Sequence, residues 1–440
     1  MLNRVQRPQT TAAIPLLQAQ FPTPFSTGLT YSPPARGGWN IVHVGMQVPQ
    51  AHLIFVCAQG CLRGVVLTAA EMGAQKRFST VAIRTQDVLN GDLEALLVDG
   101  VSDILTKLPE KPPAVLVYTS CIHHFMGTDL KLAYQQLRQR FPDIQFTDCY
   151  MNPIMRKSGL NPDQTMRRQL YSLLQPAPLV ARAVNIIGND FKLQPQSDLV
   201  RLLQKHQFKI REAVTCTTYK QYQQLATSQY NITTRPAAKP AAEMLAQRFG
   251  QIHLALPFSF NAQEIEQQLT KLARAINVPP LDYQPLRAAA KQALYQARQV
   301  VGSTEIAIDA SATSRPLGLA RLLLTDGFNV TRLYLDQIGN AEKADWLALK
   351  QLAPDLLIFP TVQPDMRQVS RHTANKVLAI GQKAAYFCGT NYFVNLIQDG
   401  GLYGFGGIQQ LVQMMVAAVR EPKDTQALIT VKGWGCHCSE

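Results

Sequence analysis

The sequence predicts an α/β protein made of three doubly wound domains with parallel sheets. Short β-branched runs alternate with helical stretches along most of the chain, a pattern typical of βαβ units. At 440 residues the chain is too long for a single compact core. Two breaks in the alternation divide it into three parts, and 46% hydrophobic residues are enough to fill three cores.

The predicted strands are short apolar runs, and most are followed within a few residues by a helical period. Strands are predicted at 53–56, 114–118, 184–187, 253–256, 304–308, 330–335, 356–359 and 384–387. Helices are predicted at 64–72, 130–140, 197–205, 262–276, 283–301, 317–325 and 408–419. Sites in such sheets form outside the C-terminal ends of the strands, so the residues just after each strand are the first functional candidates.

The domain boundaries are predicted at two breaks. The first is the proline-containing stretch 175–178, and the second is Gly302, which ends the long helical stretch. We therefore expect an N-terminal arm at 1–32 and three Rossmann-like α/β domains at 33–178, 179–302 and 303–440.

The net charge of +13 comes from scattered Lys and Arg residues rather than from a tail. No aromatic stripe interleaves them, so we expect an acidic protein partner or an anionic substrate, and no nucleic acid. The chain contains no run of eighteen or more apolar residues, and its N-terminus lacks the pattern of a signal peptide. We expect no membrane association and a cytoplasmic location.

Three of the eight cysteines fall in two short runs that begin where a predicted strand ends. Cys57 and Cys61 follow the strand at 53–56, and Cys121 follows the strand at 114–118. A cysteine near the start of a helix is favoured as the thiolate that binds iron. These thiols could converge on one metal site, but four-iron clusters usually take four thiolates, so a partner chain would complete the set. The alternative is that each is a small residue of the core.

The remaining candidates carry weaker signals. Cys149 has no such motif around it, and burial in the core is favoured for Cys216 and Cys388. His123 or His124 could donate a hydrogen bond to cluster sulfur, or could be satisfied by a neighbouring strand carbonyl. Asp129 is placed to cap the next helix. The tail contains Cys436, His437 and Cys438, either a cluster of soft metal ligands or a frayed terminus.

The local sequences around the cysteines resemble those of the nitrogenase component 1 superfamily, which includes nitrogenase α and β subunits, cofactor-scaffold proteins and subunits of dark-operative protochlorophyllide reductase. The run Ala-Gln-Gly-Cys at 58–61 resembles the family's second cysteine element, and the run at 119–129, beginning Thr-Ser-Cys, resembles the third. Weaker similarity continues at 311–313, 317–320, 327–330 and in the glycine-rich run 401–407. The resemblance covers roughly 31–420.

Two departures from the family pattern bear on function. The family's first cysteine would fall near 31–35, where none is present, so either Cys57 replaces it or the cluster is held asymmetrically. The stretch 230–235 has no cysteine and the stretch 388–395 has no histidine, although these ligate the large cofactor in the molybdenum-type subunit. Dinitrogen reduction on such a cofactor is therefore not expected.

The resemblance implies an oxidoreductase subunit of a nitrogenase-like complex. Cys57, Cys61 and Cys121 would hold a [4Fe-4S] iron-sulfur cluster shared with a homologous component 1 subunit in a hetero-oligomer or homodimer. An ATP-hydrolysing iron protein would deliver electrons through it to a bound substrate. The chain has no Gly-x-x-x-x-Gly-Lys-Ser/Thr loop, so ATP would bind to that partner. The main alternative is a non-catalytic scaffold for assembly of a metal cofactor, and a more distant one is a ligand-binding protein of similar α/β build.

Overall fold

The computed structural model of the protein describes residues 12–26, 28, 30, 40–151, 159–371, 373 and 375–425. The 31–35 region and the cysteines of the tail lie outside the described residues. The strands are β1 (Ile14–Pro15), β2 (His52–Ala58), β3 (Phe78–Ile83), β4 (Ala114–Ser120), β5 (Gln145–Met151), β6 (Val180–Ile186), β7 (Lys209–Glu212), β8 (Ser228–Thr233), β9 (Ile252–Ala255), β10 (Glu305–Asp309), β11 (Val330–Tyr334), β12 (Leu357–Phe359), β13 (Val377–Ile380) and β14 (Phe393–Val394).

The α-helices connect most of these strands. They are α1 (Ile41–Gly45), α2 (Gln59–Glu71), α3 (Thr85–Asn90), α4 (Leu93–Lys107), α5 (Cys121–Phe125), α6 (Leu130–Arg140), α7 (Pro162–Ser172), α8 (Asp198–Lys205), α9 (Tyr219–Gln223), α10 (Lys239–Phe249), α11 (Ala262–Ala275), α12 (Tyr283–Val301), α13 (Pro316–Thr325), α14 (Lys343–Leu352), α15 (Gln382–Cys388) and α16 (Gly404–Arg420). Within the described ranges, no helix is both long enough and apolar enough to cross a bilayer.

The strands form three sheets, which confirms the predicted fold class. Two are four-stranded and fully parallel, with the orders β3-β2-β4-β5 and β7-β6-β8-β9. The third has the order β1-β12-β11-β10-β13-β14, in which only β1 runs antiparallel to its neighbour. Such strand orders are those of doubly wound Rossmann-like sheets.

The three predicted intervals 33–178, 179–302 and 303–440 each contain the strands of one sheet, except that β1 lies in the predicted arm. The packing groups these intervals differently. One compact unit contains both four-stranded sheets, and the other contains the six-stranded sheet together with 191–206 and 257–302. Helices α8, α11 and α12 therefore belong to the same compact unit as the six-stranded sheet. That the three intervals fold as independent domains with these boundaries remains a prediction.

The strand predicted at 384–387 is wrong, because these residues lie in helix α15. A short apolar run does not by itself distinguish a buried strand from a buried helix. The buried carboxylate of Asp309 accepts a hydrogen bond from the Ala384 N–H at 2.9 Å, which holds the first turn of this helix. Gly381 precedes it with a φ of 109°, and an added Cβ would lie 2.2 Å from the Asp309 carboxylate. The true strand is β13, a few residues earlier.

The first four-stranded sheet is covered on both faces, as expected for parallel strands. Residues Leu53 and Phe55 of β2 face one apolar cluster, whereas Ile54 and Val56 face another, and all four are fully buried. β4 repeats this alternation. With both faces buried, the strand ends are the places where this sheet exposes functional groups.

Candidate functional site

The two predicted cysteine runs meet at the topological switch point of the first four-stranded sheet. Strands β2 and β4 are neighbours, with Val56 opposite Thr119 near their C-terminal ends. The connection after β2 leads to β3 on one side, whereas β4 lies on the other side. The segments that follow β2 and β4 therefore diverge, and a crevice opens outside the strand ends at such a point. The sequence similarity alone did not establish this adjacency.

Two of the thiols in this region are accessible. Cys61 lies in the first turn of α2 and is exposed, and Cys121 is the first residue of α5 and is partly buried. Both follow a strand end within four residues. Thiols in these positions can reach a group bound at the crevice.

Cys57 differs because its side chain is fully buried at the end of β2. Its Sγ lies 3.9 Å from the carbonyl oxygen of Tyr118 on β4. Burial, together with smaller effects of the nearby charges of Cys61 and Cys121, raises the pKa of Cys57 to about 12. The effect of these two charges indicates that the three cysteines lie near one another. The burial of Cys57 is typical of a core residue. Its position near Cys61 and Cys121 is typical of a ligand to the same metal site.

The outer face of α2 is open beside Cys61. Gly60 and Gly64 are exposed, and no atom of the described chain lies within 4 Å of a Cβ added at either position. A helical glycine costs roughly 0.5–1 kcal/mol relative to alanine. Neither glycine is required by a positive φ or by packing inside the chain. The face can accept close approach by another group.

His123 is held beside Cys121 by the cap of α5. Its Nδ1 accepts a hydrogen bond from the Ser120 N–H at 3.2 Å, and the side chain is 1% exposed. Among the described residues, Nε2 has no hydrogen-bond partner. Burial lowers the pKa of His123, which favours the neutral ring. His124 is exposed, and Asp129 caps α6 as predicted by accepting from the Leu132 N–H at 3.0 Å.

The other cysteines do not join this group. Cys149 pairs with Tyr118 across β4 and β5 and is fully buried. Cys388 is also fully buried, with its Sγ 3.3 Å from the Tyr334 hydroxyl. Cys216 is partly buried and lines a cavity of about 640 Å³ near Met46. Its thiol donates to the carbonyl of Glu212 at 3.4 Å.

The thiols of this chain form an incomplete ligand set. In the part of the chain that the structure describes, no group of three or more His, Cys, Asp or Glu residues is placed to hold a metal ion. Cys61 and Cys121 nevertheless offer the soft donors that iron-sulfur clusters require, with open space beside them. Their chemistry fits a cluster whose remaining ligands come from another chain.

The sequence interpretation missed a charged network at the switch point of the second four-stranded sheet. Asp190 follows β6, and its buried carboxylate accepts from the Arg167 guanidinium at 2.9 and 2.8 Å and also from Arg235. Burial alone would raise the pKa of Asp190, but the two guanidinium groups hold it below its usual value. The available signal was position, because Asp190 and Arg235 follow the strand ends β6 and β8.

Comparisons with known proteins agree with this fold. A structure of nitrogenase Cp1 at pH 6.5 matches with a TM-score of 0.63 and 13% identity, covering 90% of this chain and 94% of that chain. A structure of the same protein at pH 5 matches with a TM-score of 0.58 and 13% identity, covering 93% of each chain. At this identity the similarity concerns the fold. No curated protein sequence matches the chain.

The family comparison is more specific than the structural one. The sequence model described as "Nitrogenase component 1 type Oxidoreductase" matches residues 41–420, which include all the strand-end cysteines and both four-stranded sheets. The chain therefore belongs to the nitrogenase component 1 type oxidoreductase family.

Proposed function

We propose that this chain is one subunit of a nitrogenase-like reductase complex in the cytoplasm. The chain would hold a [4Fe-4S] cluster together with a homologous component 1 subunit, and this cluster would supply electron transfer from an ATP-hydrolysing iron protein to a bound substrate. The observation that carries this proposal is the pair of accessible thiols, Cys61 and Cys121, at the switch point of one sheet. Family membership supports oxidoreductase chemistry.

Each strand-end cysteine has a role in this proposal. Cys61 and Cys121 bind iron as thiolates, and Cys57 is the third ligand, reached from the end of β2. When bound, the cluster supplies one-electron transfer. The chain's own contribution is to hold the thiolates on two adjacent strand ends, so that their separation is set by the β2 and β4 pairing.

The partner subunit completes the ligand set. The α5 region, which begins with Cys121, exposes two apolar side chains, Phe125 at 68% and Met126 at 43% exposure. Exposed apolar groups next to incomplete metal ligands are suited to burial at a subunit interface. The net charge of +13 is compatible with docking of an acidic reductase.

The proposal is tested by anaerobic co-purification of the full chain with its co-eluting partners, followed by iron and sulfide analysis and EPR. We expect a brown, oxygen-labile complex with about four irons per shared cluster. Cys61→Ala and Cys121→Ala are each expected to abolish the cluster, whereas Cys149→Ala is the matched control and should retain it. A folded complex that is free of iron would contradict the proposal, as would a retained cluster in either variant.

A second measurement separates the enzyme from the scaffold alternative. Substrate turnover that depends on the iron protein and ATP marks an enzyme. Transfer of a bound metal cofactor to an apo-protein, without such turnover, marks a scaffold. Both share the fold and the cysteine site, so the cluster alone does not distinguish them.

A further inference from the structure

We propose that the cavity of about 640 Å³ at the edge of the second four-stranded sheet binds an organic anion, with the carboxylate of the ligand at Arg77 and its apolar body against Met46 and Met72. None of the three strand-end cysteines assigned to the cluster lines this cavity. The inference therefore goes beyond the proposed function and does not depend on it.

The cavity lies where a doubly wound sheet is expected to bind its ligand. Its lining includes Asp190, which follows β6, and residues of the stretch 213–217, which follows β7 directly. Strands β6 and β7 are parallel neighbours, so both segments leave the C-terminal edge of the same sheet. Ligands of open α/β sheets bind outside this edge. The fold thus predicts a ligand site at the place where the cavity is found.

Arg77 brings an uncompensated positive charge to the cavity. Its Nε donates to the carbonyl oxygen of Ala51 at 2.9 Å, and its Nη2 donates to the carbonyl oxygens of Met46 and Val48. Burial lowers the pKa of Arg77, and no carboxylate of the described chain offsets this effect. A partly buried cation is expected to have an anionic partner. The charge of Arg77 therefore favours an anion as the ligand.

One nitrogen of Arg77 is available to such a ligand. Within the described residues Nη1 makes no hydrogen bond, and it is not among the enclosed polar atoms that lack a partner. The other two nitrogens are fixed by backbone carbonyls, which hold the guanidinium in place. A carboxylate that approaches Nη1 gains a charge-assisted hydrogen bond without displacing a contact within the chain.

The acidic residue of the cavity does not supply the missing counter-charge. Among the described residues that line the cavity, Asp190 is the only acidic one, and both of its oxygens accept from Arg167. Arg235 also donates to Asp190, and Arg167 pairs with Asp163 at 2.8 Å. Two guanidinium groups and two carboxylates thus form a network without net charge. The charge of Arg77 remains for a ligand.

The rest of the lining determines what kind of anion fits. Met46, Met72 and Val214 supply apolar surface, and methionine side chains adapt to ligands of different shape. Gln47 donates through Nε2 to Asp190 at 3.1 Å, which leaves its Oε1 as an acceptor. Cavities of roughly 300–1,000 Å³ hold small organic molecules. A carboxylate on an apolar body uses this lining, whereas a small inorganic anion leaves the apolar part uncovered.

The experiment follows alkylation of Cys216 in the dialysed, anaerobically purified complex. Cys216 is partly buried and lines the cavity, so a bound ligand shields its thiol from iodoacetamide, as measured by peptide mass spectrometry. The probes are decanoate and naphthoate, their neutral amides and inorganic phosphate. We expect a carboxylate to protect Cys216. The amide should need an about tenfold higher concentration, because it lacks the charge that Arg77 attracts, and phosphate should not protect.

Three variants separate binding in the cavity from effects on folding, with probe binding measured by equilibrium dialysis. Arg77→Gln should abolish the preference for carboxylate over amide. Lys76→Gln is the matched control, because it removes the same charge at an exposed neighbour that does not line the cavity. Val214→Trp fills the cavity but leaves the hydrogen bonds of Arg77 in place, so it should abolish binding even if Arg77→Gln does not fold.

Three results would overturn the inference. They are equal protection by carboxylate and amide, binding retained in Val214→Trp, and no protection of Cys216 by either carboxylate. Each of them leaves the proposed function standing, because the cluster is assayed through its own cysteines. A complex without a cluster that still binds the carboxylates would instead overturn the proposed function and leave the cavity assignment in place.

Discussion

Cys57 and Cys149 show how two equally buried cysteines in one sheet can be assigned different roles. Both are fully buried. Only Cys57 lies at the strand end that leads directly to Cys61, and only its pKa responds to the charges of Cys61 and Cys121. Exposure by itself therefore does not decide ligation. The position of the thiol relative to the other two is what makes Cys57 a candidate.

The role of Cys57 is tested by a serine substitution. If Cys57 is the third ligand, Cys57→Ser will leave a cluster that is lost more readily or has a shifted potential, because oxygen replaces a thiolate. We expect this outcome in anaerobic absorbance and EPR measurements. Cys149→Ser is the matched control, since it makes the same change at the same burial. An unchanged spectrum and potential in Cys57→Ser would return Cys57 to the core and leave two ligands in this subunit.

The burial of His52, at the start of β2, predicts that the protein loses stability in acid. Its ring is 3% exposed, with Nε2 2.8 Å from the Ser79 hydroxyl. Burial, with a smaller effect of Arg77, lowers the pKa of His52 from 6.5 to about 4. The unfolded chain therefore binds the proton more readily, so the stability contribution is present above pH 6.5 and is lost as the pH falls toward 4.

The size of the His52 effect is at most about 3.5 kcal/mol, since one pKa unit corresponds to about 1.4 kcal/mol. We expect His52→Gln to flatten the dependence of the unfolding free energy on pH between 6.5 and 4, measured by urea denaturation. Glutamine retains a hydrogen bond to Ser79 without a titrating group. His124→Gln, at an exposed position, is the control. The same pH slope in His52→Gln as in wild type would contradict the assignment.

At the level of elements, the glycine-rich run 401–407 anchors the last helix. The buried carboxylate of Asp198, at the start of α8, accepts from the N–H groups of Phe405 and Gly406 at 2.6 and 3.2 Å. Gly404 has a φ of 74°, and an added Cβ there would lie 2.5 Å from this carboxylate. The run is therefore explained by close packing of α8 against α16, without a bound ligand.

The close packing around Gly406 predicts that Gly406→Ala strongly lowers the free energy of unfolding. A Cβ at this position would lie 1.8 Å from the backbone carbonyl oxygen of Gln196, which cannot move as a side chain can. We expect a loss of about 3 kcal/mol or more in unfolding free energy, measured by denaturant titration. Gly339→Ala serves as the control, because no atom lies within 4 Å of its added Cβ. Equal stability of the two variants would refute this packing argument.

At the scale of the whole molecule, the exposed glycines Gly60 and Gly64 of α2 indicate a surface at which another subunit binds. Their helical positions reduce the stability of the isolated chain without any packing benefit that the described residues show. Such positions are explained if the benefit arises in the complex. The same face carries Cys61, so assembly and completion of the ligand set would occur at one surface.

Gly64→Ala tests this connection. The free chain should gain roughly 0.5–1 kcal/mol of stability, because alanine is the better helix former. The complex should weaken by about tenfold in dissociation constant, corresponding to about 1.4 kcal/mol, because the methyl group obstructs close approach. Thermal unfolding of the isolated chain and anaerobic titration with the partner measure the two effects. A stabilised chain with unchanged affinity would exclude α2 from the interface.

The sequence by itself determined the fold class, the family and the strand-end position of Cys57, Cys61 and Cys121. These features follow from local periodicity and from short motifs, which neighbouring residues encode. The family prediction was confirmed over 41–420. The strand at 384–387 was predicted wrongly, because its four apolar residues are equally compatible with a helix anchored by the distant Asp309.

Only the tertiary structure decided which groups are buried and which meet. The pairing of β2 with β4 brought two cysteine runs together, buried Cys57 and left Cys61 exposed. The tertiary structure also showed that His123 is buried and that Arg167 forms an ion pair with Asp190. Burial and pairing depend on contacts between residues far apart in the chain, whereas periodicity reports only the local conformation. For this reason the sequence could name the thiols, but the fold was needed to show how they are arranged.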